Sequence, residues 1–535
     1  MATQIATELQ TFEPDTSDAI TDISVASRRS HELQTETPPN AIPTTDLTTT
    51  ALSKNRTIVV ITQLLGLQLF SSFCNGIIVV GLPAIAATLH LEGSLLLWPT
   101  SVFYLTAGSC LLMAGSIADV AGTKRVSLTG SFLLAACALA CGLARNGGEL
   151  IAFRGLQGVT NAIIVPPSIS IISRNVEEGR PRNVGFACLG FAGPVGFSLG
   201  LVLGGVFVDS IGWRAAFYLA GAASFALFIV GIWALPQDAP PEPGQPIWKR
   251  LALEIDWVGT ILASTGLATL SYVLAMLSSD THNIRQATNI ALLVLSAASL
   301  PAFIGWMNFQ VKRNRPALIP NALWRSSIFT SSCIMILFTT TVTNCMEVFS
   351  SLFFQQVQAN SALGASLRIL PSLIAGALAN LLTGVFVNRM PVMWTVLISS
   401  GLCAIAPLLM AVIQPQWPYW YDAFIAQIFA PLSGDTLFTI GLLVISDVFP
   451  PHTQAMGGAV FNTCAQLGTS IGLAVTSVIA ASTTDASHYA DKASPDALLA
   501  GYRACFWTMF AWMLLVCLVC VLGYSRLGMI GVKRD

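Results

Sequence analysis

Long apolar runs alternate with short polar segments along most of this chain. An α-helix needs roughly 20 apolar residues to cross the hydrocarbon core of a bilayer, and each run is about that long. The pattern therefore predicts an all-helical, polytopic membrane protein with about fourteen spans. The predicted spans cover residues 58–88, 96–118, 126–144, 149–173, 183–207, 214–235, 256–278, 288–309, 327–354, 366–388, 391–413, 420–446, 455–481 and 501–524.

Residues 1–54 break this pattern because they are polar and contain no long apolar run. Their composition predicts a disordered tail, and they lack the early apolar core of a signal peptide. A Gly-x-x-x-polar segment at 115–119 recurs at 384–388, as expected for repeated halves if two spans are an insertion. The predicted organisation is an N-terminal six-helix bundle over 55–235, a linker with two extra transmembrane helices over 236–325, a C-terminal six-helix bundle over 326–525 and a second tail over 526–535.

Basic residues are concentrated in alternate loops. One side of the predicted membrane has Lys124, Arg125, Arg174, Arg180, Arg182, Lys249, Arg250, Lys312, Arg313, Arg315, Arg325 and Arg389, together with both chain ends. The other side has mainly Arg145, Arg214, Arg285, Lys492 and Arg503. Because cytoplasmic loops carry an excess of Lys and Arg, this asymmetry predicts an even number of spans and two cytoplasmic termini.

Composition narrows the class of protein further. The chain is 54% hydrophobic and 10% charged, whereas soluble proteins carry roughly 25% charged residues. Its net charge of -1 gives no reason to expect a nucleic-acid partner. The twelve Cys lie mostly inside apolar runs, which is typical of packing residues rather than disulfides. We expect no metal and no cofactor, and the chain lacks a phosphate-binding Gly-x-x-x-x-Gly-Lys-[Ser/Thr] loop.

A short polar loop between two predicted spans has the spacing Gly-x-x-x-Asp-x-x-Gly-x-Lys-Arg. Its residues are Gly115, Asp119, Gly122, Lys124 and Arg125. Glycine permits close helix contact and a tight turn, and the cations hold the loop in the cytoplasm. The loop resembles the signature loop between helices 2 and 3 of the major facilitator superfamily, where it acts in gating, although Val120 replaces the usual Arg. The alternative is an ordinary basic turn.

A charged residue inside the fourth predicted span begins a second motif. Arg154, Gln157 and Asn161 share one helix face, and an Arg at this depth needs a partner or a watery cavity. The segment resembles the Arg-x-x-Gln-Gly motif of the same superfamily, which implies a role for Arg154 in proton coupling. The alternative is an Arg close enough to the outer surface to extend its head group into water.

The fifth predicted span is rich in glycine. Its distinctive residues are Gly193, Pro194, Gly196, Gly200, Gly204 and Gly205, followed by Gly-Trp-Arg at 212–214. The small residues permit close helix packing and the proline a kink. The segment resembles the antiporter motif of the drug/proton exporters in this superfamily, with Phe197 where a proline is common. Generic small-residue packing is the alternative.

The first predicted span is similar to the corresponding stretch of the fourteen-span drug/proton antiporters, but Cys74 replaces an Asp. Coupling then requires another acid, or the substrate is not a typical cationic drug. Glu347 and Asp435 are candidate acids inside spans, where carboxyl groups suit reversible protonation. Asn462 and Gln466, one turn apart in a segment similar to those exporters, are candidates for the substrate path. Alternatively, backbone groups satisfy the acids and the amides only join helices.

Together these motifs identify the chain as a member of the major facilitator superfamily, close to fungal efflux pumps and to an aminotriazole-resistance and boron-exporter-like branch. The resemblance implies proton-driven export of a small organic molecule by a monomeric transporter, not an enzyme, in the plasma membrane or alternatively the vacuolar membrane. Its partners would be the substrate, protons and lipid. Uptake or facilitated passage of ammonium or borate is the main alternative; a membrane enzyme or a sensor has less support.

Overall fold

The fold is all-helical, as predicted. A computed structural model describes residues 53–91, 95–177, 180–238, 250, 255–279, 286–313, 321–386, 390–448 and 451–525. Within these ranges there is no β-strand. The helices are α1 (Lys54–Leu89), α2 (Trp98–Ala121), α3 (Thr123–Leu143), α4 (Gly147–Asn175), α5 (Arg180–Ser210), α6 (Trp213–Ala234), α7 (Trp257–Ser279), α8 (Ala287–Lys312), α9 (Ser327–Leu352), α10 (Ala362–Phe386), α11 (Val392–Val412), α12 (Ala423–Phe429), α13 (Leu432–Val448), α14 (Pro451–Asp485) and α15 (Pro495–Tyr524).

In the described part of the chain, 13 helical segments are long and apolar enough to cross a membrane. One of them, Ala423–Ile445, joins α12 and α13. α7 contributes a shorter apolar stretch, Trp257–Leu270. Fourteen spans with cytoplasmic termini therefore remain a prediction. Residues 1–52 and 526–535 of the predicted tails lie outside the described residues, as does the Asn388-Arg389 end of the repeated segment.

The long helices are separated by very short turns. α2 and α3 are joined by Gly122 alone, whose φ of 103° is one that L-residues with a side chain rarely adopt. α9 ends in a π-helical turn at Phe353–Val357. The predicted span over 420–446 corresponds to the candidate span Ala423–Ile445, but its helix is interrupted at Pro431, which lacks the N–H that would continue it. The break places Asp435 in the first turn of α13.

Helix pairing follows the same scheme in the two parts of the chain. α1 packs on α5, α2 on α4 and α3 on α6. The equivalent pairs later in the chain are α9 with α14, α10 with α13 and α11 with α15. We call α1–α6 the N-terminal half and α9–α15 the C-terminal half. α7 and α8 pack on each other, and α7 also contacts α2 and α14, where the halves meet.

The two halves meet mainly along two pairs of helices, α2 with α14 and α5 with α10, and α1 also contacts α9 and α10. We call the end of the bundle that contains Leu89, Ser210 and Ala362 the outer end, following the charge prediction, and the opposite end the inner end. At the outer end, Ser351 Oγ donates a hydrogen bond to the carbonyl of Val79 across the halves (3.0 Å). The halves are therefore joined by polar contacts where the predicted non-cytoplasmic side lies.

Candidate functional site

A cavity of about 270 Å³ lies between the two halves. The N-terminal half lines it with polar and aromatic side chains from α1, α2 and α4, namely Gln68, Ser72, Asn75, Phe103, Tyr104 and Asn161. The C-terminal half lines it mainly with polar side chains, namely Thr343, Asn344, Glu347, Ser372, Asp435 and Gln466. Among the described residues, no Lys, Arg or His lines this cavity. Its wall therefore carries negative but no positive side chains.

The two acids of the cavity have different surroundings. The carboxylate of Glu347 makes no hydrogen bond to another described residue, although the residue is only 9% exposed. Asp435 Oδ1 accepts a hydrogen bond from Asn380 Nδ2 (2.9 Å), and Asn380 Oδ1 accepts one from Thr439 Oγ1 (2.8 Å). Gly376 leaves room for Asp435, since a Cβ there would collide with the carboxylate. Asp435 is thus held in place by a side chain rather than by backbone groups, while Glu347 faces the cavity unpaired.

Arg154 is completely buried inside the N-terminal half. Its Nε donates to the carbonyl of Pro99 (3.0 Å), Nη1 to Gln157 Oε1 (2.7 Å) and Nη2 to Asn75 Oδ1 (2.5 Å). The guanidinium also lies 4.6 Å from the centre of the Phe103 ring. These dipoles and the ring stabilise the charge where water is absent. Arg154 does not extend to the surface, and within the described chain it contacts no carboxylate.

Arg154 therefore reaches the cavity only through its neighbours. Asn75 and Phe103 contact the guanidinium and also line the cavity, whereas neither Glu347 nor Asp435 contacts it. The role in proton coupling that the family motif implies for Arg154 therefore stays a prediction, because Arg154 makes no direct contact with either acid. Arg154 can act on the cavity indirectly, because its guanidinium orients Asn75, which lines the cavity.

The three polar residues predicted on one face of α4 separate into two places. Gln157 stays with Arg154 in the protein interior, and its Nε2 has no hydrogen-bond partner among the described residues. Asn161 lines the cavity and accepts a hydrogen bond from Ser71 Oγ (3.0 Å). Cys74, which replaces the Asp of the related exporters, is fully buried beside Arg154 and Gln157. It is not among the residues that line the cavity.

One polar contact at the cavity joins the halves directly. Tyr104 Oη donates to Asn344 Oδ1 (3.0 Å), and both residues line the cavity. Tyr104 is not among the residues predicted from the sequence, because one tyrosine in an apolar run carries no spacing signal. On α14, Gln466 lines the cavity, whereas Asn462 is not among its lining residues, and the role of either in the substrate path stays a prediction.

The glycines of α5 allow that helix to pack directly on the backbone of α1. A Cβ on Gly196 would collide with the backbone of Leu69, and one on Gly200 with the backbone of Phe73. A Cβ on Gly204 would lie 3.2 Å from Ile77 Cα. These three glycines therefore line one face, as predicted, and that face lies within the N-terminal half.

The other small residues of the α5 motif serve different contacts. Gly193 and Pro194 line the cavity. Gly205 faces the C-terminal half, where an added Cβ would lie 2.9 Å from Leu363 Cα and 2.6 Å from Ser366 Oγ. Residues of the α5 motif therefore contribute to three contacts: the interface with α1, the wall of the cavity and the interface between the halves.

The predicted gating loop is held by the segment that follows α6. Asp238 accepts hydrogen bonds from the backbone N–H of Lys124 (2.9 Å) and of Arg125 (3.4 Å), which caps the start of α3. Lys124 Nζ donates to the carbonyl of Leu235 (2.9 Å). A Cβ on Gly122 would collide with the Asp238 carboxylate. Sequence reasoning missed Asp238, because its partners are backbone groups far away in the chain.

Two further residues of the predicted gating loop, Gly115 and Asp119, lie at the inner end of α2. Gly115 lies near Pro166 of α4, where an added Cβ would be at an ordinary contact distance of 3.6 Å, so this contact does not itself require glycine. The side chain of Asp119 lies outside the described residues. Its predicted role in gating stays a prediction.

Comparison with known proteins agrees with this architecture. The Major Facilitator Superfamily profile matches residues 64–473 and 360–527. "MFS-type transporter 1" of Pyricularia oryzae is 37% identical over 525 residues, covering 90% of this chain and 85% of that protein. The "Low affinity ammonium transporter" of Saccharomyces cerevisiae is 26% identical, covering 80% of this chain and 82% of that protein. The "Aminotriazole resistance protein" of the same yeast is 24% identical, with coverage of 80% and 76%.

Solved structures show the same fold. A bacterial homologue of the human lysosomal transporter Spinster superposes with a TM-score of 0.62 at 14% identity, covering 89% of this chain and 98% of that chain. The matching proteins are membrane transporters rather than enzymes. The chain therefore belongs to the Major Facilitator Superfamily of membrane transporters.

Proposed function

We propose that this protein exports a small organic molecule, such as a drug, toxin or secondary metabolite, in exchange for protons. The observation that carries the proposal is the central cavity, which contains Glu347 and Asp435 but no basic side chain among the described residues. A carboxylate in a membrane interior is costly unless it binds a proton or another positive group. Protons and a basic or hydrogen-bond-donating substrate would therefore compete for the same two side chains.

This competition supplies the coupling that an antiporter needs. A substrate that occupies the cavity from the inner end favours the deprotonated acids. A proton that arrives from the outer end displaces the substrate and is later released at the inner end. Two halves that rock around a central site provide this alternating access. Glu347 is the better candidate for the exchange, because its carboxylate has no hydrogen-bond partner among the described residues, whereas Asp435 is already bonded to Asn380.

The hydrogen bonds between the halves support a state closed at the outer end. Gln355 Nε2 donates to the carbonyl of Val80 (3.0 Å), and Ser366 Oγ to that of Leu201 (2.8 Å). Ser101 Oγ donates to the carbonyl of Ser470 (3.1 Å). A state closed at the outer end is the one into which an exported substrate would enter.

Relatives favour export of an organic molecule. The relatives include an aminotriazole resistance protein and the efflux pumps terJ and terG of Aspergillus terreus. For such a transporter we further propose fourteen spans with both termini in the cytoplasm, a monomer as the functional unit, and the plasma membrane as its location, with the vacuolar membrane as the alternative. A fluorescent fusion viewed in fungal cells distinguishes the two membranes.

The proposal is tested with purified protein in sealed vesicles that contain a pH-sensitive dye. A pH gradient is imposed, and planar aromatics, azoles and borate are added in turn. We expect substrate-dependent proton movement in the wild type, and a loss of at least about tenfold in Glu347→Gln, since the neutral amide cannot exchange a proton. Asp435→Asn tests the second acid in the same way.

The matched control is Glu149→Gln. Glu149 is also acidic, but it lies at the outer start of α4, where its carboxylate binds Asn146 and the backbone N–H of Arg145. This variant should transport like the wild type. Substrate flux without proton movement, unchanged in both cavity variants, would exclude proton antiport.

Facilitated passage of ammonium is the second candidate function. It is favoured by the similarity to the yeast low affinity ammonium transporter and by a small cavity whose wall bears two acids and several amides. In the same vesicles, ammonium entry that follows its own gradient, needs no pH gradient and is inhibited by none of the aromatic compounds would favour this function over export.

A further inference from the structure

A single carboxylate of the N-terminal half caps a helix of the C-terminal half. Asp209 lies at the outer end of α5, one residue before that helix ends. Its Oδ1 accepts a hydrogen bond from the backbone N–H of Ala362 (3.2 Å), and its Oδ2 accepts one from that of Leu363 (2.9 Å). Ala362 is the first residue of α10, a helix of 25 residues. The cap is thus formed between the halves.

This contact is electrostatically favourable. The first N–H groups of a helix have no partner inside the helix and carry a partial positive charge. Ser361, the residue immediately before α10, accepts at its Oγ a hydrogen bond from the N–H of Gly364 (3.1 Å). Ser361 and Asp209 together therefore satisfy three of these groups, two of them by a charge that belongs to the other half. Hydrogen bonds to an ionised acceptor are stronger than neutral ones.

The surrounding residues of α5 are shaped for the same contact. Leu201, Gly205 and Asp209 are spaced four residues apart and so lie on one helix face. The carbonyl of Leu201 accepts from Ser366 Oγ (2.8 Å), and Gly205 permits close approach to Leu363. Asp209 is the charged member of this face, and it lies outermost.

The nearest basic residue in sequence has other partners. Arg214 Nη2 donates to the carbonyl of Ala144 (2.9 Å), and its guanidinium lies 4.4 Å from the ring centre of Trp213. The other outer-end hydrogen bonds between the halves are made by neutral side chains, namely Ser101, Ser351, Gln355 and Ser366. Among these described contacts, Asp209 contributes the ionic one.

We propose that Asp209 is the latch of the outer gate: its carboxylate holds α10 against α5 when the cavity is closed at the outer end, and it releases α10 whenever that end opens. Asp209 is a positioning residue, because it contacts neither the cavity nor a substrate. The latch shifts the equilibrium between the state closed at the outer end and the state open at that end. It therefore applies to either direction of transport and to any substrate.

The test uses a reporter cysteine at a different helix pair. Ser351 is fully buried at the outer contact of α9 with α1, so Ser351→Cys reacts with a membrane-impermeant maleimide only when the outer end opens. The reagent is added to the outer side of vesicles that contain the full-length chain, without substrate or pH gradient. The reaction of the twelve native cysteines is subtracted with the chain that lacks the reporter.

In the reporter background, we expect Asp209→Asn and Asp209→Ala to raise the initial labelling rate about three- to tenfold, as the loss of charged hydrogen bonds to an exposed helix terminus implies. Asp209→Glu should stay closer to the parent because it keeps the charge. Ser210→Ala is the matched control: among the described residues, Ser210 Oγ bonds only the carbonyl of Val206 in its own helix (2.6 Å), and labelling should not change.

An unchanged labelling rate in both Asp209→Asn and Asp209→Ala would overturn the proposal. Faster labelling in Ser210→Ala as well would also overturn it, because the effect would then reflect general loosening of the helix end. If Asp209→Ala fails to fold, Asp209→Asn decides, since it keeps the size of the side chain. The readout needs no transport, so it is independent of whether protons or organic molecules are carried.

Discussion

At the scale of single residues, Arg154 shows how a charge is accommodated inside a helical bundle. Its three donor nitrogens each have an oxygen partner, and Phe103 covers the guanidinium. The planar, forked guanidinium fits this arrangement, whereas an ammonium group has a different shape and reach. The sequence indicated that this residue was unusual, but only the structure shows that Asn75 connects it to the cavity.

We expect Arg154→Lys to lower the free energy of unfolding by about 2–4 kcal/mol, because at least one buried acceptor would lose its donor. Transport should fall with it, since Asn75 would no longer be fixed in the cavity wall. Thermal unfolding of the purified protein measures the first effect and vesicle flux the second. The control is Arg145→Lys, whose exposed side chain in the turn before α4 should tolerate the change.

If Arg154→Lys unfolds at the same temperature as the wild type and transports normally, the hydrogen-bond geometry around the guanidinium is not important. If it is stable but inactive, Arg154 acts in transport beyond its structural role, as the family motif implies.

At the scale of helices, most boundaries follow from the sequence. The first predicted span at 58–88 corresponds to α1, and the predicted span at 455–481 lies inside α14. The break between α12 and α13 was not predicted, since the long apolar run hides the effect of Pro431. Which side of α5 faces α1 could be predicted from its glycine spacing, whereas the identity of α1 as the partner could not, because spacing does not identify the opposite helix.

Two glycine substitutions in α5, Gly200→Ala and Gly193→Ala, test the packing of this helix on α1. Gly200→Ala would bring a Cβ against the backbone of Phe73, which cannot move without shifting α1. At Gly193, the nearest atom to an added Cβ is Ser72 Oγ at 3.8 Å, an ordinary contact distance. We expect Gly200→Ala to destabilise the protein by about 1–3 kcal/mol and Gly193→Ala to have little effect.

Thermal unfolding in the same detergent compares the two glycine variants directly. Equal unfolding temperatures for both would mean that α1 and α5 are not in backbone contact. The comparison separates a specific steric effect from the general gain in helix propensity that any Gly→Ala change brings.

At the scale of the whole molecule, the two halves must separate at the outer end if access alternates. Ser101 Oγ of α2 and Ser470 Oγ of α14 are 3.4 Å apart across the halves. We expect the pair Ser101→Cys and Ser470→Cys to form a disulfide on oxidation and to block transport, because the outer end can then no longer open. A reductant should restore the activity.

Each single cysteine variant serves as the control for this crosslink and should be insensitive to the oxidant. Transport that continues at the full rate in the crosslinked protein would contradict rocking of the halves about the cavity. It would instead indicate that substrate leaves by a route that does not require α2 and α14 to part.

The all-helical membrane class, the positions of nearly all helices and the family follow from the amino-acid sequence, because length, hydropathy and short motifs are local properties of the chain. Glu347 and Asp435 were likewise predicted from their positions inside apolar spans. The folded arrangement was needed to show that these acids share a cavity, that Arg154 contacts neither of them, and that Asp209 and Asp238 cap helices far away in sequence. The reason is physical: a backbone N–H or carbonyl is the same in every residue, so nothing in the sequence marks which side chain will bind it.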